Sequence, residues 1–454
     1  GAPGEHVGVD GAAAADDLAL GDRYFTIGGA INAHVFTRGT PNDYDGWAND
    51  YGCEGWDASV MQEYFIKSED NDRLGAPYHG KGGMLGVSDN KDPHPLTKAW
   101  VESCIEMGLP ANDDFNGESQ LGAGVYQSMI KNSRRSSTGV GYLRPALKRP
   151  NLTVKTEVFT TRVVLEGNRA TGVDVLEGGT IVRYTAAKEV LVTSGGVGSP
   201  KTLMLSGIGD PEHLNEVGID VKVALPGVGK NLQDHCDLDI IYEVNEKISM
   251  DMYDGISFAT AKALIEYLVK RTGPLASPVV EGGAFSFADK NEPTPDLQFH
   301  FLPASGAEAG VGGAPKGHGC TLNTYHLRPR SRGTVKLASS NPTDAPLIDP
   351  NYLADDYDLE ISVEGLRQCR EMMAQPALAK YIVKEVYPGY DTIKSDDDLI
   401  EYARTHGRTS YHPVGTCMMG TGDDSVLTPD LKVRGVEGLR VCDSSIMPTI
   451  TSSN

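Results

Sequence analysis

Apolar residues recur at the spacing of an amphipathic helix in five stretches of the chain. In the last stretch, Ser395 and Asp398 stand where a helix N-cap and its third helical residue would stand, and Gly407 stands where the helix would end. The predicted helices cover residues 58–68, 95–107, 257–271 (apolar positions Ala261, Leu264, Ile265 and Leu268), 357–374 and 395–406.

Other stretches are typical of strands, with apolar residues at alternate positions or in short runs. Gly167-Asn168 separates two of them and predicts a hairpin turn. The apolar run 189–193 leads into the glycines around Gly195 and then into Pro200. This order predicts a strand–turn–helix crossover of the nucleotide-binding type, with Pro200 at the start of the helix. The predicted strands cover residues 152–158, 162–165, 170–176, 189–193, 297–301, 322–327 and 334–337.

Composition narrows the class of protein. The 454 residues are 39% hydrophobic and 23% charged, as in an ordinary globular protein with a large core. The formal net charge of −21 argues against nucleic-acid binding through a basic surface. No run of eighteen apolar residues predicts a transmembrane helix, and the first residues do not resemble a signal peptide, so we expect a cytoplasmic protein.

The seven cysteines are scattered, odd in number and free of any C-x-x-C pair. This pattern predicts reduced, mostly buried thiols and no zinc site. The three consecutive acidic residues 396–398 fall at a predicted helix N-terminus, where the helix dipole explains them better than a metal does. We therefore expect no bound metal.

The stretch 411–420, Y-H-P-V-G-T-C-M-M-G, places a titratable His412 in a turn framed by Pro413 and Gly415. It resembles the active-site segment H-P-x-G-T-C-x-M-G of the glucose–methanol–choline (GMC) family of flavin oxidoreductases. In that family the histidine lies beside the flavin and takes the proton of the substrate hydroxyl.

Four further segments carry the same resemblance. Gly28-Gly29, followed by D-Y-D-G-W at 43–47, is similar to a G-G-S-S-x-x-N segment followed by D-Y-D-x-W, although two residues expected after Gly29 are absent. The segments 194–209, 225–235 and 439–448 match other hallmarks of the family. In this context His235 is expected to be structural.

The resemblance implies an α/β fold, with a Rossmann-like FAD-binding domain interleaved with a substrate domain built on a mixed sheet. We expect residues 1–50, 151–240 and 405–454 in the FAD-binding domain, and residues 51–150 and 241–404 in the substrate domain. Some members attach flavin covalently through a histidine near Ala30 and Ile31, so the absence of histidine at both positions predicts non-covalent FAD.

The resemblance also implies a set of site residues. His412 would be the general base. Glu281 is a candidate contact for a cationic substrate, with a structural place at the end of a strand as the equally weighted alternative. The second catalytic residue of the family is the second Asn or a His of an N-T-N-A-P-T string, of which Asn454 matches the first Asn and is the candidate this chain offers. The implied cofactor contacts are Gly28, Gly29, Asn32, Ala33, Val158, Gly195, Asp443 and Pro448.

Three functions remain open from the sequence. The first is FAD-dependent oxidation of a small alcohol, with hydride passing to flavin N5 and electrons to oxygen or a quinone-type carrier. The second is a flavin-containing lyase of the hydroxynitrile lyase type, which keeps a histidine; a decarboxylase resembles the chain less, because such proteins lack the histidine at position 412. The third is a non-catalytic fragment, since no G-x-G-x-x-G motif is present.

Overall fold

The structure of the chain is a computed structural model. It describes residues 32–245, 248–253, 255–306 and 317–453. Three predicted site residues, Gly28, Gly29 and Asn454, lie outside these ranges.

Helices are interspersed with runs of strands along the described residues. The helices are α1 Pro41–Asp50, α2 Ala58–Ser68, α3 Pro95–Glu106, α4 Arg144–Ala146, α5 Gly195–Leu205, α6 Pro211–Glu216, α7 Phe258–Lys270, α8 Asp356–Ala374, α9 Pro376–Ala379 and α10 Asp396–His406. Shorter helical turns are Gly139–Leu143, Met250–Tyr253, Pro274–Ala276 and Ser444–Ile446.

The strands before residue 150 are at most five residues long, and those after it reach nine residues. They are β1 Glu69–Asn71, β2 Leu85–Asp89, β3 Gly122–Val125, β4 Gln127–Ser128, β5 Ile130–Lys131, β6 Arg134–Arg135, β7 Val158–Glu166, β8 Arg169–Glu177, β9 Thr180–Thr185, β10 Val190–Val192, β11 Ile208–Gly209, β12 Val223–Ala224, β13 Cys236–Val244, β14 Gly282–Ser286, β15 Leu297–Leu302, β16 Gly319–His326, β17 Thr334–Lys336, β18 Leu347–Asp349, β19 Ile382–Tyr387, β20 Arg408–Thr409 and β21 Leu439–Val441.

All five predicted helices are confirmed to within two residues, as α2, α3, α7, α8 and α10. The cap predicted for α10 also forms. The Ser395 hydroxyl accepts a hydrogen bond from the Asp398 N–H at 3.2 Å, and the Asp398 carboxylate accepts one from the Ser395 N–H at 2.9 Å. Each side chain therefore satisfies a backbone donor that the first helical turn leaves free.

The predicted hairpin is confirmed, because β7 ends at Glu166 and β8 begins at Arg169, with Gly167 at a φ of +61°. The strand predicted at 152–158 is wrong except for its last residue, since β7 begins at Val158. Leu152 is exposed, and Glu157 takes a φ of +58°, which interrupts an extended strand. The alternating apolar residues of this segment have no neighbouring sheet or core among the described residues to pack against, so the segment does not form a strand.

A seven-stranded sheet forms the larger layer, in the order β19-β13-β16-β15-β14-β3, with β20 also paired to β13. Each of its pairs is antiparallel, so the sheet expected to be mixed is antiparallel. Helices α3, α8 and α10 pack on this sheet. Trp100 of α3 stacks on Phe301 of β15 with ring centroids 5.2 Å apart, and both are fully buried in the core of this layer.

A second core surrounds the predicted crossover. Strand β10 pairs in parallel with β21, which places segments 249 residues apart side by side, and α5 follows β10 directly. Trp47, Leu203 and Met419 are buried together in this core. The α/β class and the strand–glycine–helix crossover are thus confirmed, while the domain boundaries stay a prediction.

The prediction that Pro200 starts a helix is wrong, because α5 begins at Gly195 and Pro200 lies inside it. A proline within a helix has no N–H to give to the carbonyl four residues earlier, here that of Gly196. The Thr416 hydroxyl donates to that carbonyl instead, at 2.5 Å. The predicted active-site loop therefore completes the hydrogen bonding of this helix.

Six of the cysteines are buried and Cys442 is exposed, and all seven are free thiols, as predicted. In the part of the chain that the structure describes, no helix combines the length and the apolar character that a membrane span requires.

Candidate active site

The loop 411–420 is fixed on one side by the segment that precedes β13. The His412 N–H donates to the Asp234 carboxylate at 2.9 Å, and Val414 exchanges backbone hydrogen bonds with Gln233 at 2.9 and 3.1 Å. Tyr411 takes a φ of +64° just before the histidine, a conformation that tertiary contacts must hold. The position of His412 is therefore set by residues nearly 180 positions earlier in the chain.

The other side of the loop lies along the segment that follows β21. The Cys417 N–H donates to the Ser445 carbonyl and the Met419 N–H to the Ile446 carbonyl, each at 2.8 Å. Gly415 has a φ of +89°, and a Cβ there would come within 2.4 Å of the Asn231 carbonyl oxygen. A side chain at this position would push the loop away from its support.

Asp443 joins β21 to the start of α5. Its carboxylate accepts hydrogen bonds from the Gly195 N–H at 3.0 Å and from the Ser199 hydroxyl at 2.5 Å, and also from the Ser445 N–H at 2.9 Å. Two predicted cofactor-binding residues, Gly195 and Asp443, are thus in direct contact although 248 positions separate them.

Pro448 is held in the same neighbourhood. Its carbonyl accepts hydrogen bonds from the side-chain amides of Asn231 and Gln233, each at 3.0 Å. The chain beyond it is tied to the D-Y-D-G-W segment, because Trp47 donates to Thr449 at 3.0 Å and the Asp43 carboxylate accepts from the Ser452 hydroxyl at 2.7 Å. The structure therefore brings together His412, Gly195, Asp443 and Pro448.

The His412 side chain is half-buried, and its Nδ1 atom is buried with no hydrogen-bond partner among the described residues. Burial, and then the neighbouring His235 and His300, lower its pKa well below the usual 6.5. The His235 ring stands edge-on to it, with centroids 5.7 Å apart. At neutral pH the imidazole of His412 is therefore uncharged and able to accept a proton.

His235 and His300 have partners of their own. The fully buried His235 ring lies 3.2 Å from the Leu327 carbonyl, and burial lowers its pKa to about 4. His300 lies between Gln298 and Tyr325, at 3.1 and 3.2 Å, and burial lowers its pKa to about 3. These contacts agree with the structural place expected for His235, and both rings face His412 as neutral groups.

Glu281 is buried at the N-terminus of α3, and four donors of the protein surround its carboxylate. One oxygen accepts from the Asn90 amide at 2.9 Å and the Ser277 hydroxyl at 2.6 Å, and the other from the His94 N–H and the Thr97 hydroxyl, each at 2.7 Å. A carboxylate at a helix N-terminus is a stabilising arrangement. These contacts favour the structural alternative over a contact with substrate.

The remaining predicted contacts lie in two other places. Asn32 accepts a hydrogen bond from Arg135 through its carbonyl at 2.6 Å, and Ala33 packs against the apolar cluster that contains Tyr126. Val158 opens β7, a strand that packs along α5. No hydrogen bond in the described ranges joins these three residues to the loop of His412.

Sequence reasoning missed Asp234 as a site residue. It is buried, and besides the His412 N–H it accepts the hydroxyls of Tyr352 at 2.6 Å and Thr409. Burial raises the pKa of this carboxyl. Its position in the family-like segment 225–235 was the one sequence feature that could have indicated it. Only the fold shows which donors form hydrogen bonds with its carboxylate.

The residues around the start of α5 fit part of a flavin site. The N-cap residue Ser194 gives the helix no side-chain cap, and a Cβ added to Gly195, whose φ is +78°, would meet no atom of the described residues within 4 Å. Apart from the Asp443 carboxylate, which accepts the Gly195 N–H, no described residue fills the space beside Gly195 at the N-terminal pole of this 11-residue helix. The unpartnered Nδ1 atom of His412 lies in the loop that packs on this helix.

Comparison with known proteins gives a consistent result over most of the chain. The family model described as GMC oxidoreductase matches residues 23–237 with its N-terminal part and residues 329–454 with its C-terminal part. The chain is 40% identical over 438 residues to an alcohol dehydrogenase [acceptor] of Pseudomonas putida, and 39% identical over 433 residues to an oxygen-dependent choline dehydrogenase of Brucella ovis. Each alignment covers 94% of this chain and 78% of the relative.

Solved structures agree in fold. The crystal structure of pyridoxine 4-oxidase from Mesorbium loti superposes with a TM-score of 0.82 at 26% identity, covering 94% of this chain and 79% of that one. An FAD-dependent oxidoreductase from Chaetomium thermophilum superposes with a TM-score of 0.84 at 26% identity, covering 94% and 82%.

Proposed function

The chain belongs to the GMC oxidoreductase family and is an FAD-dependent oxidoreductase that acts on CH–OH groups, and on this premise we propose that His412 is the general base that takes the hydroxyl proton of an alcohol. The observation that supports the proposal is an imidazole whose backbone is fixed and whose pKa is lowered, with a buried Nδ1 atom that no described residue engages.

Oxidation of an alcohol to an aldehyde or ketone removes a proton from oxygen and a hydride from carbon. Bound FAD supplies the hydride acceptor, at N5 in this proposal. The residues of the chain have the other task, which is to hold the alcohol and remove its proton. A positioned base contributes about 10²–10⁴-fold to such a step when its pKa suits the working pH.

The lowered pKa of His412 keeps its ring in the unprotonated form that a general base needs. A histidine that stayed protonated at neutral pH would have no lone pair to offer the hydroxyl. Because burial holds the ring neutral, the base form is present through the neutral range and is lost only at a pH below the lowered pKa. His235 and His300, whose pKa values burial lowers to about 4 and about 3, are also uncharged in this range.

Asp234 and Asp443 act as positioning residues in this scheme. Asp234 holds the backbone of His412, and Asp443 ties the segment after β21 to the first residue of α5. Hydrogen bonds thus connect α5, the histidine loop and the segment around Pro448. The base and the residues proposed to contact the cofactor are therefore held in fixed positions relative to each other. Gly195, Asp443 and Pro448 are the described residues that would hold FAD, which we propose is bound without a covalent link.

The substrate in this proposal is a small alcohol, and choline is the one specific alcohol that the names of the reported relatives suggest. The acceptor of the electrons would be oxygen or a quinone-type carrier. Reaction rates with oxygen and with a soluble quinone, measured on one preparation with one alcohol, decide between the two acceptors.

Substitution His412→Ala tests the proposal. We expect the variant to keep its flavin, judged by absorbance per protein, and to lose at least about 10²-fold in kcat with any alcohol that the wild type oxidises. His406→Ala, which removes an exposed histidine at the end of α10, is the matched control and should keep the wild-type rate. Wild-type rates in His412→Ala would remove this residue from the mechanism.

A further inference from the structure

Helix α7 turns its apolar side outward. Phe258, Ile265 and Val269 lie within about 40° of one another around the helix axis at 100° per residue, and their exposed fractions are 87%, 63% and 75%. On the opposite side, Ala263 is the one buried residue of the helix. A helix that covers a protein core has the reverse arrangement.

Polar contacts hold the inner side of this helix. The Tyr267 hydroxyl donates to the Ser133 carbonyl at 2.9 Å, and the Ser133 hydroxyl donates to the Arg271 carbonyl at 2.6 Å. The Thr260 hydroxyl donates to the Tyr253 carbonyl at 3.2 Å. The orientation of α7 is therefore fixed by hydrogen bonds, and the outward apolar side has no covering element among the described residues.

Exposed apolar residues also lie in the segments on both sides of α7, whose helical turns Met250–Tyr253 and Pro274–Ala276 contact the helix. We call the whole set the α7 patch. Its members are Met252, Ile256, Phe258, Leu264, Ile265, Leu268, Val269 and Leu275, each at least 36% exposed. Contiguous apolar surface of this kind marks an interaction site on a folded protein.

Basic residues border the α7 patch in a chain whose net charge is −21. Helix α7 carries Lys262 and Lys270 with Arg271 directly after it, and its one acidic residue is the half-buried Glu266. The adjoining hairpin of β5 and β6 adds three exposed basic residues, Lys131, Arg134 and Arg135. Lys131 is paired with Asp70 at 2.6 Å, and Arg135 donates to the Asn32 carbonyl at 2.6 Å. An apolar stripe with basic residues at its border is the surface that anionic lipid headgroups attract.

A second copy of the chain fits this surface poorly. Symmetric pairing through α7 would bring its basic residues, Lys262 and Lys270, against their own copies. A bilayer avoids this repulsion, because it is soft, continuous and able to supply the negative charge.

We propose that the α7 patch docks the protein on an anionic lipid surface, with Phe258, Ile265 and Val269 inserted among the headgroups and Lys262 and Lys270 against lipid phosphates. Docking of this kind needs no membrane-spanning helix. It leaves the fold unchanged and is independent of the reaction at His412.

Flotation with vesicles tests the inference on the full flavin-containing chain. We expect binding to vesicles that contain phosphatidylglycerol, at least tenfold weaker binding to pure phosphatidylcholine, and further weakening by salt. The double variant Ile265→Asp/Val269→Asp should lose at least tenfold in binding. Ile181→Asp, at another exposed isoleucine on β9, should bind as the wild type does.

Two results would overturn the proposal. One is the absence of binding to either kind of vesicle, or equal binding of the wild type and the double variant. The other is a wild type that light scattering shows to be a dimer and that the double variant converts to a monomer, without any lipid binding, since this would assign the patch to a second copy. Unchanged alcohol oxidation in solution by the double variant confirms that it is folded.

Discussion

Removing the Asp234 carboxylate tests the positioning of His412. In Asp234→Ala three partly buried donors lose their acceptor: the His412 N–H and the hydroxyls of Tyr352 and Thr409. A buried donor left without a partner costs about 1–3 kcal/mol. Burying the charged carboxylate destabilises the folded state, as the raised pKa of Asp234 indicates. The substitution removes this unfavourable contribution, which offsets part of the loss. We expect a net loss of about 3 kcal/mol in the free energy of unfolding.

The same substitution should affect the reaction through geometry. Without its acceptor the His412 backbone is free to move, and a displacement near 1 Å costs about 10²-fold in rate. We therefore expect kcat to fall by about 10²-fold while KM changes little. Asp234→Asn should recover most of the rate, because an amide oxygen can still accept from the His412 N–H while its NH₂ group faces hydroxyl oxygens.

The assay pairs urea unfolding of the flavin-containing protein with steady-state alcohol oxidation. Asp296→Ala is the matched control, since this buried carboxylate accepts from the N–H groups of Ala288 and Asp289 and does not contact the histidine loop. The control should lose stability and keep kcat per folded molecule. A wild-type kcat in Asp234→Ala would refute the positioning role, and a loss of stability under about 1 kcal/mol would refute the energetic account.

Three further predictions follow from buried groups. Burial lowers the pKa of His235 to about 4 and of His300 to about 3. As the pH falls below 6.5, these two histidines are therefore protonated in the unfolded chain before they are in the folded one, and each should lower the free energy of unfolding by about 2 kcal/mol at pH 5. In urea titrations between pH 7 and 5, His300→Gln should lose less stability than the wild type does. Glu281→Gln should lower stability by about 1–2 kcal/mol and leave the KM ratio of choline to a neutral alcohol unchanged; a selective rise in the KM of choline would restore the substrate role. Thr416→Val should cost about 1 kcal/mol because the Gly196 carbonyl loses its donor, and less in a Pro200→Ala background that restores the helical N–H; equal costs in both backgrounds would contradict this account.

The fold and the loop of His412 could be predicted because they leave local signals in the sequence. The five helices follow from apolar spacing, and the α10 cap from Ser395 and Asp398. The strand–glycine–helix crossover was recognisable from the order of residues around Gly195. The loop itself was found by its resemblance to a family segment and not by its periodicity, since a lone histidine carries no pattern.

The rest depends on contacts between distant parts of the chain. Asp443 contacts Gly195 across 248 positions, and Thr416 contacts Gly196 across 220. The local sequence therefore shows neither that Pro200 lies inside α5 nor that the Thr416 hydroxyl replaces the hydrogen bond that the proline cannot make. Glu281 suggested a substrate contact until its four donors were known. The predicted apolar face of α7 was correct in spacing, but the spacing does not reveal that this face is turned outward.

Anaerobic reduction of the bound flavin by an alcohol tests the central claim most directly, because it isolates the removal of the proton and the hydride from every later step. Wild-type protein and His412→Ala are mixed with saturating alcohol at pH 7, and the loss of flavin absorbance is followed in time. We predict that the wild type bleaches and that the variant, still yellow, bleaches at least about 10²-fold more slowly. Bleaching of the variant at the wild-type rate would contradict the assignment of His412 as the base.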